Sequence, residues 1–173
     1  MKRLTHTFFE QDALILAPKI LGKYLVRQFT PEYQIRKKIT EVEVYRGIED
    51  LACHASKGRT VRTEIMFASG GVVYVYLIYG LYWLLNIVTG CKDHPQAILI
   101  RALSDVVGPG RVGKFLKLEK NFYGEDLTKS NRLWLEDAPP IDPPEIICTP
   151  RIGIDYAKEW REKLWRFSYH QLK

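Results

Sequence analysis

Glu41 and Glu43 stand two residues apart in a run, Thr40-Glu41-Val42-Glu43-Val44-Tyr45, that reads as a β-strand. Side chains of a strand alternate between its faces. Thr40, Val42 and Val44 therefore share the face expected to meet the core, and Glu41, Glu43 and Tyr45 share the other. A face with two carboxylates and a tyrosine either borders water or lines a cleft. In a dry aromatic cleft a carboxylate can activate water and stabilise an oxocarbenium-like cation, which is what glycosidic bond hydrolysis asks of an enzyme. Little further machinery is required, because the departing group carries away the electrons of the bond. On residue type alone, Glu41 and Glu43 are equal candidates.

Other chemistries lack their signatures. The chain holds no phosphate loop, HExxH, GxSxG or zinc-deaminase pattern. Cys53, Cys91 and Cys148 are odd in number and widely spaced, which suggests neither a zinc site nor a disulfide framework and suits a reducing compartment. The formal net charge of +6 points to a polyanionic partner, or else to a merely basic soluble protein. Ten tyrosines suit both cores and sites that stack flat ligands.

The elements that would position such a site follow from pattern. A length of 173 residues suits one domain over 1–173, with 1–9 expected to be a flexible N-terminal segment. Met1–Phe9 lacks the apolar region and cleavage site of a secretory signal, so the expected location is cytoplasmic (nucleoid-associated in a bacterium) or nuclear, not secreted. Asp12 is placed to cap a helix over 13–21 that Pro18 should shorten or kink and Gly22 should end. Strands over 23–28 and 36–45 should pair as a hairpin. Residues 46–63 read as a polar loop. Residues 72–89 carry no charge and approach the length of a membrane span, but four tyrosines, Asn86 and Gly80 favour two strands, 72–78 and 81–88, turning at Tyr79-Gly80. No membrane association is expected. Residues 97–103 read as a buried strand in which Arg101 demands a partner. A helix over 111–118 should follow the Gly108-Pro109-Gly110 turn, the five prolines of 138–150 mark an irregular segment, and 156–164 reads as a last helix.

Six ordered motifs give the chain a family resemblance. Glu41–Gly47 with Asp50 and Ala52-Cys53-His54 resembles the ETEAY-x-G…D…AxH segment of the alkyladenine (3-methyladenine) DNA glycosylases. Arg59-Thr60-Val61-Arg62 with Met66-Phe67, Tyr74–Tyr82 with Asn86, Leu99–Leu103, Gly108–Val112 and Arg151–Ile154 are similar to that family's later motifs, in the same order, over residues 10–168. The chain departs from the pattern at Ala68–Gly71, where Pro-Gly is usual, at Thr63 for Asn, and at Leu164 for Pro.

The resemblance implies an α+β single domain with a mostly antiparallel curved sheet, flanking helices and a protruding β-hairpin. It implies a monofunctional glycosylase that flips alkylated purines out of duplex DNA and hydrolyses the N-glycosidic bond. Such an enzyme acts as a monomer, without metal or cofactor. No lysine nucleophile is matched, so no lyase step is expected. Glu43 takes the position of the general base. Arg101 takes that of its cationic neighbour, which should favour the ionised carboxylate. Tyr45, His54 and Tyr76 take the positions that sandwich the flipped base, and Asn86 the one that obstructs the amino group of normal guanine. Tyr79, with Leu81 beside it, takes the position of the wedge left in the duplex. Arg59, Arg62 and Arg111 are candidate phosphate contacts or solvated charges. Outside the resemblance His54 reads equally as a loop histidine, Tyr74, Tyr76 and Tyr82 as core or cross-strand pairs, and Asn86 as a strand end. A non-catalytic nucleic-acid-binding domain or a small-molecule hydrolase would use the same surface.

Overall fold

The computed structural model describes residues 2–169. Two short helices open it, α1 (His6–Phe9) and α2 (Ala13–Ile20). The Asp12 carboxylate accepts the Leu14 N–H at 3.0 Å and caps α2. Ala13, Leu16, Ala17 and Ile20, at helical spacing, are its buried face. Pro18 falls in the last turn, and Gly22 at φ 78 redirects the chain. The opening residues, expected to be flexible, are packed: Leu4 N–H bonds to the Leu135 carbonyl at 2.9 Å, and Phe9 is fully buried.

The remainder is built on one antiparallel sheet of nine strands. These are β1 (Tyr24–Thr30), β2 (Tyr33–Arg46), β3 (Val73–Ile78), β4 (Tyr82–Val88), β5 (Gln96–Leu103), β6 (Val106–Val107), β7 (Leu133–Glu136), β8 (Ile147–Thr149) and β9 (Arg166–Ser168). Their main order is β3-β4-β5-β2-β1-β7, with β6 on β5 and with β9 between β2 and β8. A third helix, α3 (Pro109–Phe115), packs on β4 and β5. It begins at Pro109, two residues before the expected start, because proline suits the first turn of a helix. Gly113 lets it lie flush on the sheet, since a Cβ there would stand 1.8 Å from the Trp83 carbonyl oxygen. The domain is α+β, as the resemblance implied.

Alternation divides the sheet by function. Val42, Val44, Val75, Leu85, Ile87, Ile98 and Ile100 join α2 and α3 in the main core. The expected core position Thr40 is an exception. The β2–β5 register shifts on both sides of Glu41, neither Thr40 nor Arg101 has an opposite number, and Ile39 fills the core instead. A bulge of this kind re-aims side chains. The other face carries a row in register across five strands: Tyr74, Asn86, Leu99, Glu43 and Arg166.

Three segments correct the sequence reading. The irregular 138–150 stretch contains β8, and β7 and β9 were not foreseen. The expected 156–164 helix is instead a pair of 3-10 turns over Asp155–Glu162, broken where Lys158 adopts φ 50, ψ −130. The 46–63 loop contains a 3-10 turn over His54–Lys57. Among the described residues no helix is long and apolar enough to cross a membrane, and no group of three His, Cys, Asp or Glu is placed to hold a metal ion.

Candidate active site

Tyr74, Asn86 and Leu99 of the row just described line a cavity of about 440 Å³. Glu43, paired with the lining residue Leu99, has 0% of its side chain exposed and is flanked by β5 on one edge and β9 on the other. Burying a carboxylate is costly unless its oxygens are satisfied. Here Oε1 accepts the Ile152 backbone N–H at 2.8 Å. Oε2 accepts the Tyr45 hydroxyl at 2.8 Å and faces an Arg101 guanidinium nitrogen at 3.2 Å. Glu41 has a different setting: its Oε1 is held by Arg101 Nε and by Arg166, each at 3.0 Å. The structure thus separates two carboxylates that residue type left equal.

Tyr45, His54, Tyr76, Asn86 and Arg101 all line the cavity. His54 and Tyr76 touch edge to face, with ring centres 4.6 Å apart and planes at 71°. A stacked base needs roughly 7 Å between flanking rings, twice the van der Waals contact distance, so no base fits between these two. Tyr45 lines the same cavity as this pair. His54 Nδ1 is 2.8 Å from the hydroxyl of buried Tyr74. Burial, together with the Arg62 and Lys57 cations, pulls the imidazole pKa down to about 4, so it is neutral at physiological pH. Burial and the Glu43 carboxylate push Tyr45 well above the usual tyrosine range. Tyr76 moves the same way, chiefly through burial. Asn86, 3% exposed, donates its amide to the Tyr74 carbonyl at 3.2 Å.

At the mouth the β3–β4 hairpin ends in a turn whose Leu81 N–H bonds to the Ile78 carbonyl at 3.0 Å. Tyr79 and Gly80 both take positive φ, 53 and 66, as in the primed hairpin turns. Tyrosine adopts that conformation at some cost, and such outliers gather at functional sites. Tyr79 is 84% and Leu81 73% exposed. Arg62 lines the cavity with its cation 5.1 Å from the Tyr76 ring. Arg111 is exposed beside the hairpin tip, next to Tyr79 and Tyr82. Arg59 is not brought to the cavity. It pairs with Glu64 and Asp93 and stacks on Phe67.

The site also uses residues to which sequence reasoning gave no role. Arg151 and Asp50 form a fully buried, two-pronged ion pair. Arg151 also donates to the Val44 carbonyl at 2.8 Å and lies 4.9 Å from the Tyr45 ring centre. Asp50 accepts the Ala52 N–H at 3.0 Å and so shapes the loop that delivers His54. The pair locks the Ile152 N–H against Glu43. Both residues fall within the matched motifs, and that was their only signal.

The family model described as "Methylpurine-DNA glycosylase (MPG)" matches residues 7–107 and 104–173. Relatives carrying the name "Putative 3-methyladenine DNA glycosylase" come from Legionella pneumophila (strain Corby), Natranaerobius thermophilus and Borreliella burgdorferi (strain ZS7). The first is 42% identical across 96% of this chain and 94% of its own length. The second is 37% identical across 95% and 94%, and the third 41% identical across 92% of each.

Proposed function

Because the chain belongs to the methylpurine-DNA glycosylase family, and so is a hydrolase of N-glycosyl bonds, we propose that it excises alkylated purines such as 3-methyladenine from duplex DNA through Glu43. The observation that carries this reading is the buried Glu43 carboxylate, joined by a 2.8 Å hydrogen bond to the pocket tyrosine Tyr45.

The damaged nucleotide leaves the helix, and its base enters between Tyr45 and the Tyr76–His54 pair. Alkylated purines are electron-poor, and aromatic faces attract such rings. Weakened pairs also cost less to open. Tyr79, with Leu81, fills the gap left in the stack. Water held by Glu43 then attacks C1′ of the deoxyribose. The C1′–O bond forms, the C1′–N bond breaks with its electrons passing to the purine, and the water proton goes to Glu43. Arg101 and the Ile152 N–H hold the carboxylate in place. Asn86, fixed by its bond to the Tyr74 carbonyl, obstructs the amino group of undamaged guanine. Arg62 and Arg111 contact phosphates; Arg59, already paired with two carboxylates, is withdrawn from that role. The enzyme acts as a monomer.

The test is base release from methylated duplex DNA, followed by alkaline cleavage at the abasic sites. Wild-type protein should break strands at purines. Glu43→Gln should bind the same duplex with unchanged affinity and release nothing. Turnover at the wild-type rate in that variant removes Glu43 from its role.

A further inference from the structure

We infer that Tyr156 is a further base-contacting residue of the pocket, an aromatic face that favours cationic over neutral purines. The inference rests on the excision reading above. Five tyrosines line the cavity: Tyr45, Tyr74, Tyr76, Tyr79 and Tyr156. Tyr45 is bonded to Glu43, Tyr74 to His54, and Tyr76 lies against His54. Tyr79 projects from the hairpin tip. Tyr156 is 66% exposed and makes no hydrogen bond or ring contact with any described residue.

A single exposed tyrosine is unremarkable by itself. The ring of Tyr156 differs because of what holds it. Ile154, 4% exposed, and Ala157, 0% exposed, flank it and are packed in one small cluster with Ala52. Arg151, five residues before it, is clamped by Asp50, and its guanidinium also donates to the Trp160 carbonyl at 3.1 Å. Ile152 holds Glu43 through its backbone. Two residues after Tyr156, Lys158 turns the chain at φ 50, ψ −130, a conformation that side chains rarely adopt. The backbone on both sides is thus over-determined, and the segment that positions the Glu43 carboxylate also sets an unpartnered ring on the wall of the same cavity. Preorganised aromatic groups of this kind contribute to recognition without an ordering cost.

An electron-rich ring face discriminates by charge, because its quadrupole attracts a cation and is nearly indifferent to a neutral heterocycle. The experiment compares duplexes containing 7-methylguanine, a cationic base, with duplexes containing hypoxanthine, a neutral one, in single-turnover excision over a range of enzyme concentrations. Tyr156→Ala should lower the maximal rate divided by the half-saturating concentration about 3- to 30-fold on 7-methylguanine, and by less than about 2-fold on hypoxanthine. Tyr156→Phe, which keeps the face and loses only the hydroxyl, should match wild type on both. Equal losses on the two bases would mark a structural effect and overturn the assignment, as would no loss on either. A Tyr156→Phe variant as impaired as Tyr156→Ala overturns it too, by assigning the work to the hydroxyl. Release of neither base by wild-type protein overturns the excision reading itself, whereas charge-blind losses in an active enzyme overturn only the role of Tyr156.

Discussion

Two walls of one pocket are built on opposite principles. The β3–β4 hairpin is regular, held by its own ladder, and ends in an exposed tip. The 151–162 segment has almost no regular structure, and its position comes from the Asp50–Arg151 pair, the Ile152 N–H on Glu43 and the buried Ile154 and Ala157. The hairpin needs local pairing to form and distant contacts only to aim it. The 151–162 segment depends on a contact between residues 101 apart in sequence. A change in the first should therefore alter function with little effect on folding, and a change in the second should alter folding first.

The largest expected effect comes from cutting the second wall loose. Arg151→Met leaves Asp50 buried and unpaired, and breaking a buried pair in this way costs about 3–5 kcal/mol. The urea midpoint should fall accordingly. Asp50→Asn should do nearly the same, and the double variant should recover part of the loss; additive losses would mean that the two residues act separately. Next comes the hairpin tip. Tyr79→Ala should slow excision by about 10- to 100-fold, in keeping with the 1–3 kcal/mol that base–aromatic stacking contributes. Its unfolding free energy in urea should stay within about 0.5 kcal/mol of wild type. A Tyr79→Ala variant as unstable as Arg151→Met would erase the contrast between the walls.

Smaller effects sharpen the comparison. Lys158→Gly relieves a conformation suited to glycine, and should raise stability by about 1 kcal/mol while leaving excision unchanged. A lower urea midpoint would show that the Lys158 side chain contributes more than its backbone costs. His54 gives the mildest signature, visible only in acid. Its folded pKa, about 4, lies below the ordinary histidine value. The unfolded chain therefore takes up the proton first as pH falls. The stabilisation from a neutral His54 is complete above about pH 6.5 and declines through the window down to pH 4. His54→Gln should flatten that part of the stability–pH curve, measured by urea unfolding; an unchanged slope would show that His54 does not set it.

The same contrast explains what the sequence disclosed. The hairpin was legible because the β-branched and aromatic residues of 72–88 and a Tyr-Gly turn are local signals, and the observed strands differ from the expected ones by a residue at their starts. The capped helix α2 was legible for the same reason. Glu43 and Tyr45 were correctly set on one face, but the choice between Glu41 and Glu43 needed the family motif. What separates the two carboxylates is the placing of Arg166 and Ile152, both more than a hundred residues away. The bulge that moved Ile39 into the place expected for Thr40 leaves no trace in period-two counting. Strands of three or four residues, such as β7, β8 and β9, are too short to carry a period at all. The 156–164 stretch has a helical look, yet its backbone obeys tertiary anchors rather than propensity.

The seating of α3 has a consequence for how damage is found. With Gly113 against the Trp83 carbonyl, helix and strand meet backbone to backbone at that point, beneath the hairpin. The probing tip is therefore mounted on a stiff base. Under the excision reading, such an enzyme cannot reach out and pry; it presses a fixed point along the duplex and waits for a nucleotide to give way. On that reading the yielding partner would be the DNA, and mechanical softness at a lesion would be the first thing sensed.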